Sequence, residues 1–72
     1  MYFLQEEFKS ASQSYQRAIK LDSEDGGIWI NLSMAQFKTG DLKQARNSYQ
    51  TAVQLNATLK DEYSAYSKLL SN

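Results

Sequence analysis

The sequence predicts an all-α fold of about four helices, arranged as antiparallel helical hairpins in a solenoid. Residues 3–21 align with residues 37–55 at a constant offset of 34, with eight identities in nineteen pairs, where typical residue usage would give about one. Apolar residues recur at spacings of three and four, which places them on one side of a helix. Proline is absent and there are only three glycines, so helix breaks are few. A fixed period of this length indicates a repeat array.

The first helix is predicted to be long and continuous, from Tyr2 to Leu21. Where the second copy of the repeat has the turn Thr39-Gly40-Asp41, the first copy has Gln5-Glu6-Glu7 and no glycine to end the helix. One side of this helix carries the apolar residues Phe8, Ala11, Tyr15, Ala18 and Ile19.

A loop of acidic residues and glycines separates the first helix from the second. Asp25 is placed to cap the second helix, because its carboxylate can accept from free backbone N–H groups. That helix is predicted at about Ile28 to Lys38, and it should end near Gly40, which can adopt the left-handed conformation.

The third and fourth helices have their own start signals. Asp41 is followed by Gln44 in the register of a capping box, and Thr58 with Asp61 repeats this signal before a last helix at about Leu59–Leu70. The third helix carries the apolar stripe Leu42, Ala45, Tyr49, Ala52 and Val53. The last helix has Leu59, Tyr63, Tyr66 and Leu70 on one side and a polar opposite face.

Composition excludes several classes of function. The 72 residues carry eight basic and eight acidic side chains, and the basic ones are scattered singly, so neither nucleic acid nor a membrane is an expected partner. Without cysteine or histidine, disulfides, thiolate chemistry and the commonest zinc ligands are missing. No apolar run approaches a membrane span, and the N-terminus lacks the pattern of a signal peptide. The compartment stays open, with the cytoplasm as the expectation.

The second copy of the repeat resembles a tetratricopeptide repeat (TPR) in its spacing of aromatic, apolar and small residues. The matching positions are Trp29, Leu32, Ala45, Tyr49 and Ala52, and the first copy repeats the last three as Ala11, Tyr15 and Ala18. The resemblance implies a right-handed solenoid in which small residues lie where antiparallel helices approach closely.

The sequence also departs from the TPR pattern. Ser33 stands at the usual glycine and Gln36 at the usual tyrosine, while Ser23 and Ala57 replace the prolines that normally end the second helix. These departures concern the closest helix contact and the turn between repeats.

By this resemblance, residues 1–72 form a single domain. Residues 1–25 would be the second helix of a truncated repeat, residues 26–58 a complete repeat, and residues 59–72 a capping or next-repeat helix. About three repeats are commonly needed to bury the apolar faces. The expectation is therefore a fragment of a longer array, or a chain that covers its open N-terminal edge by self-association.

In the TPR family, the first helices of the hairpins line an inner groove that binds extended peptides of partner proteins. Carried over to this chain, the groove residues are Phe3, Ile30, Met34, Phe37, Lys38, Ser64 and Lys68. Two interpretations stay open: the central helix is apolar on two sides because neighbouring helices cover both, or part of it is an open groove. The carboxylate clamp of chaperone-binding members is not expected, because only Asn31 fits and Asp61 and Ala65 stand where the clamp has basic residues.

The sequence therefore predicts a scaffold module that binds another protein, as an extended peptide or a helix. The alternative is a structural module that forms a homodimer through the N-terminal repeat edge around Phe3, Leu4 and Phe8. A helical-repeat RNA reader fits less well, because such modules favour a 35-residue period and a basic groove. No catalytic residues, cofactor or metal site are predicted: no serine has an activating histidine, and Asp22, Glu24 and Asp25 lack the ligand spacing of a calcium loop.

Overall fold

The computed structural model describes residues 2–71, with side chains described for residues 6–70, and this part of the chain contains helices and no strands. The helices are α1 (Tyr2–Leu21), α2 (Gly26–Lys38), α3 (Leu42–Leu55), α4 (Thr58–Glu62) and α5 (Ser64–Ser71). Helices α2 and α3 form the central antiparallel hairpin, α1 packs on α2, and α4 and α5 pack on α3. The predicted all-α architecture of helical hairpins is confirmed.

Helix α1 is uninterrupted over its 20 residues, as predicted. At a rise of about 1.5 Å per residue it extends for about 30 Å. Among its described side chains, the apolar stripe is only half-buried and Leu21 is exposed, and none of these residues belongs to the hydrophobic core. Helix α1 therefore lies against the outside of the central hairpin.

The turns around α2 follow the predicted cap chemistry. The Asp25 carboxylate accepts from the Gly27 N–H at 2.9 Å, and α2 begins at Gly26, two residues earlier than predicted. Gly26 lies where helices approach closely, because a Cβ there would stand 3.0 Å from the carbonyl oxygen of Ala52. Gly40 has a left-handed φ of 87°, and this backbone conformation lets the chain turn from the end of α2 into α3. Asp41 caps α3 by accepting from the Gln44 N–H at 3.4 Å.

The start of the C-terminal helix differs from the prediction. Thr58 is not the capping residue, because Asn56 Oδ1 accepts from both the Thr58 N–H at 3.2 Å and the Thr58 hydroxyl at 2.6 Å. The N-cap position is Ala57, which has no side-chain cap, and the helix starts at Thr58 itself.

The predicted single C-terminal helix is two helices joined at Tyr63. Tyr63 has φ −113° and ψ 31°, yet its N–H still donates to Leu59 and its carbonyl still accepts from Ser67, both at 2.9 Å. No glycine or proline marks the break in the sequence. It lies between two buried leucines, Leu59 and Leu70, so tertiary packing rather than local propensity decides it.

The core lies between the central hairpin and the C-terminal helices. Its buried members are Ile30, Ala45, Tyr49, Ala52, Leu59 and Leu70, and Trp29, Phe37, Val53, Tyr63 and Tyr66 pack against them. The Trp29 indole N–H also donates to the Ser23 carbonyl at 2.9 Å, which ties the loop before α2 to the helix. Trp29, Ala45 and Tyr49 therefore meet in one cluster, as the repeat pattern requires.

Candidate functional site

Two polar pairs join α2 to α3 inside the hairpin. The Ser33 hydroxyl is fully buried and donates to the Ala45 carbonyl at 2.6 Å. The Ser48 hydroxyl donates to Gln36 Oε1 at 2.7 Å, and both of these side chains are buried. Ser33 and Gln36 are the two departures from the TPR pattern in α2, and each forms a hydrogen bond across the hairpin, so that neither leaves its buried polar group unpaired.

Tyr66 connects α5 to both helices of the hairpin. Its hydroxyl lies 2.7 Å from Ser33 Oγ, and its ring centroid lies 5.6 Å from that of Phe37 and 5.9 Å from that of Tyr49. Because the single hydroxyl hydrogen of Ser33 goes to Ala45, the Tyr66 O–H is the donor to Ser33. The Tyr66 hydroxyl can donate this hydrogen bond only while the phenol is protonated.

Burial raises the pKa of the Tyr66 phenol above its ordinary value of 10.0. The hydrogen bond with Ser33 acts in the opposite direction, and lowers the pKa, only where Ser33 donates to the phenolate. To donate to the phenolate, Ser33 must give up its hydrogen bond to the Ala45 carbonyl. The effect of burial on the pKa is therefore the larger one.

Tyr66→Phe is expected to lower the free energy of unfolding by about 0.5–1.5 kcal/mol at neutral pH, because Ser33 loses its donor. The raised pKa means that the folded state binds the phenolic proton more tightly, so this contribution is present below pH 10 and is lost as pH rises through the folded-state pKa. Urea titrations of both proteins from pH 7 to 11.5 should show the stability difference shrinking above pH 10. Parallel stability curves would contradict this role of the Tyr66 hydroxyl.

The structure separates the predicted inner-groove residues of α2. Ile30 is only 2% exposed and belongs to the core cluster that also contains Leu59 and Leu70, so it does not line an open surface. Phe37 is half-buried and packs against Tyr66. Met34 and Lys38 instead turn toward α1.

The remaining predicted groove residues lie apart from these. Ser64 and Lys68 are exposed on α5. The side chain of Phe3 lies outside the described residues.

The apolar groove of this structure lies between α1 and α2, with a volume of about 230 Å³. We call it the α1–α2 groove, and it is lined by Phe8, Ala11, Tyr15, Asn31, Met34, Ala35 and Lys38. Of these, Met34 and Lys38 were predicted as groove residues. The α1 residues of this lining belong to the apolar stripe that the sequence shows on the first helix. No helix was identified in the sequence that would cover this stripe, and that was the signal from which the groove could have been predicted.

A second, polar cleft of about 540 Å³ lies on the other side of the contact between α1 and α2. Its lining residues are Lys9, Ser12, Gln13, Gln16, Gln36, Thr39, Asp41 and Gln44. The described residues contain no cluster of three or more side chains suited to a metal ion. None of the described helices combines the length and the apolar character that crossing a lipid bilayer would require.

Stacked helical hairpins with a groove beside the central helix define a helical-repeat protein. A sequence profile of the tetratricopeptide repeat family matches residues 2–72, and the chain belongs to this family. No curated protein and no solved structure gives a significant match. Tetratricopeptide repeats are non-enzymatic scaffolds that generally mediate contacts between proteins.

Proposed function

We propose that this chain is a protein interaction module that binds a segment of a partner protein in the α1–α2 groove. The observation that carries the proposal is an apolar groove formed between two repeats, whose lining includes Met34 and the exposed polar residues Asn31 and Lys38. At about 230 Å³ it is smaller than the roughly 300–1,000 Å³ typical of small-molecule sites. This size favours one or two side chains of a polypeptide over a whole small molecule.

The groove residues suit the recognition of a polypeptide. Phe8 and Tyr15 offer aromatic surface, and the flexible thioether of Met34 can adapt to different side chains. The Asn31 amide can donate to and accept from a peptide backbone. None of the described side chains forms an ion pair with Lys38, so its ammonium group can pair with an acidic group of a partner. The chain acts by binding alone, with residues 1–25 as the second helix of a truncated repeat, residues 26–58 as a complete repeat and residues 59–72 as a capping or next-repeat helix.

Met34→Glu is expected to abolish binding in this groove, because it places a carboxylate among apolar side chains. A display library of random twelve-residue peptides would be selected on the wild-type chain, and the affinities of the selected peptides measured by fluorescence anisotropy. We expect at least a tenfold loss of affinity for the variant, which corresponds to about 1.4 kcal/mol.

Leu55→Glu is the matched control, because it makes the same type of change at an exposed leucine outside the groove. It should leave the peptide affinities unchanged. Peptides that bind wild type, Met34→Glu and Leu55→Glu equally would show that the groove is not the binding surface.

Homodimer formation through the N-terminal repeat edge is the other candidate role. It would use the same half-buried apolar side of α1, including Phe8. The two roles therefore compete for one surface, and sedimentation of the free chain separates them.

A further inference from the structure

Asp25 is followed by glycine, and it is the only aspartate or asparagine in the sequence with this neighbour. An aspartyl side chain closes a five-membered succinimide ring when the nitrogen of the next peptide unit attacks its Cγ. A side chain on the next residue hinders this attack, whereas glycine has no Cβ in the way. The bond between Asp25 and Gly26 is therefore the site where the sequence most favours ring closure.

The two reacting groups are not engaged in strong contacts with the rest of the fold. Asp25 is exposed, and its carboxylate accepts a hydrogen bond from the Gly27 N–H at 2.9 Å. The Gly26 N–H donates to none of the described residues, because it belongs to the first turn of α2, where N–H groups have no partner within the helix. No hydrogen bond therefore has to break at the attacking nitrogen.

The folded backbone nevertheless holds the two groups apart. Ring closure needs the Gly26 nitrogen on the same side of the Cα–C bond as the Asp25 Cβ, whereas the observed ψ of 100° places it nearly opposite. Rotation about this bond would move α2 relative to the loop before it. That loop is tied to α2 by the cap on Gly27 and by the Trp29 indole, which donates to the Ser23 carbonyl at 2.9 Å. Ring closure therefore requires the start of α2 to open locally.

We propose that Asp25 is a site of isoaspartate formation, and that the capped turn before α2 controls its rate. The Gly26 nitrogen loses its proton to water and bonds to the Asp25 Cγ, and one carboxyl oxygen leaves as water. Water then adds to the ring: addition at the backbone carbonyl of Asp25 breaks its bond to the Gly26 nitrogen and leaves the chain linked through Cγ, whereas addition at Cγ restores aspartate. One water is lost and one is regained, so no other reactant is needed. The modification does not depend on the proposed groove.

Isoaspartate at position 25 disrupts the start of α2. It adds one carbon to the backbone and leaves a carboxylate one carbon shorter than the side chain that caps Gly27. Gly26 has little room to compensate, because a Cβ there would lie 3.0 Å from the Ala52 carbonyl oxygen and 3.2 Å from the Leu59 side chain. The purified isoaspartyl chain should unfold at a Tm about 4–8 °C below that of the unmodified chain, as for the loss of one helix cap in a small domain.

Incubation of the full chain at 37 °C and neutral pH, once folded and once in concentrated guanidinium chloride, measures the rate. Isoaspartate is quantified with an isoaspartyl methyltransferase and located by electron-transfer dissociation, because the modification leaves the mass unchanged. We expect it at Asp25 in both samples, forming at least about tenfold more slowly in the folded chain, which corresponds to an opening free energy of about 1.4 kcal/mol or more. Because the same opening releases the Gly27 N–H, the slowing should be at least as large as the hydrogen-exchange protection factor of that amide.

Asp25→Ser is the matched variant, because serine also caps helices but has no carboxyl group to close the ring. It should stay folded and form no isoaspartate at position 25. Asp41 is the internal control, because its carboxylate caps α3 but leucine follows it.

Four results would overturn the inference. They are the absence of isoaspartate at Asp25 in denaturant, faster formation at Asp41 than at Asp25 in denaturant, equal rates in the folded and unfolded chain, and a slowing smaller than the protection factor of the Gly27 amide.

Discussion

Ala45→Leu is expected to lower the free energy of unfolding by about 3 kcal/mol, at the upper end of the usual cost of overpacking. Ala45 is 0% exposed, and its carbonyl accepts the buried Ser33 hydroxyl, so a larger side chain must push α2 away from α3 and break that hydrogen bond. At about 0.05–0.15 kcal/mol per residue, a chain of 72 residues has only about 4–11 kcal/mol to lose. Thermal unfolding by circular dichroism should show a fall in Tm of roughly 12 °C or more.

The repeat supplies the control for this variant. Ala11→Leu makes the same change at the equivalent position of α1, where the side chain is only half-buried and lies outside the core. Its effect on stability should stay within about 0.5 kcal/mol. Equal destabilisation by the two variants would mean that Ala11 is packed as tightly against a neighbouring helix as Ala45 is against α2.

Ile30→Ala is expected to cost about 2–5 kcal/mol, because it leaves a cavity in the core. Ile30 is 2% exposed among Ala45, Tyr49, Ala52 and Leu59, and a small domain has few other residues to fill the space. Urea unfolding followed by Trp29 fluorescence measures the change, since Trp29 packs against this cluster.

Leu21→Ala serves as the control for Ile30→Ala, because Leu21 is 91% exposed at the end of α1. It should change stability by less than about 0.5 kcal/mol. If Ile30→Ala were as mild as Leu21→Ala, Ile30 would not be a core residue, and its original assignment to an open groove would regain support.

The position of the groove illustrates the limit of sequence reasoning for this chain. Ile30, Met34 and Phe37 form one apolar stripe in the sequence, and all three were predicted to line a common surface. The structure divides the stripe, because Ile30 is buried in the core, Tyr66 packs on Phe37, and only Met34 remains beside the open space next to α1. A helical period identifies which residues share a side, but not which neighbouring helix covers that side.

The C-terminal helices show the same limit. At equivalent repeat positions, Ala35 is buried whereas Leu69 is 55% exposed, and the buried leucine of α5 is its neighbour Leu70. Helix α5 therefore keeps buried the position that Gln36 occupies in α2, 34 residues earlier, but leaves the position of Ala35 exposed. The contact of the Tyr66 hydroxyl with Ser33 and the break at Tyr63 likewise have no local signal in the sequence.

The sequence by itself determined the repeat family, the long first helix, the caps at Asp25 and Asp41 and the turn at Gly40. Each of these features depends either on residues within one helical turn of one another or on the repeat period, which can be identified from the sequence without a structure. Only the tertiary structure decided that Ser33 and Gln36 pair across the hairpin, that Ile30 is core, and that an apolar groove lies between α1 and α2. These features depend on contacts between residues far apart in the chain, whose free energy is set by which helix covers which face.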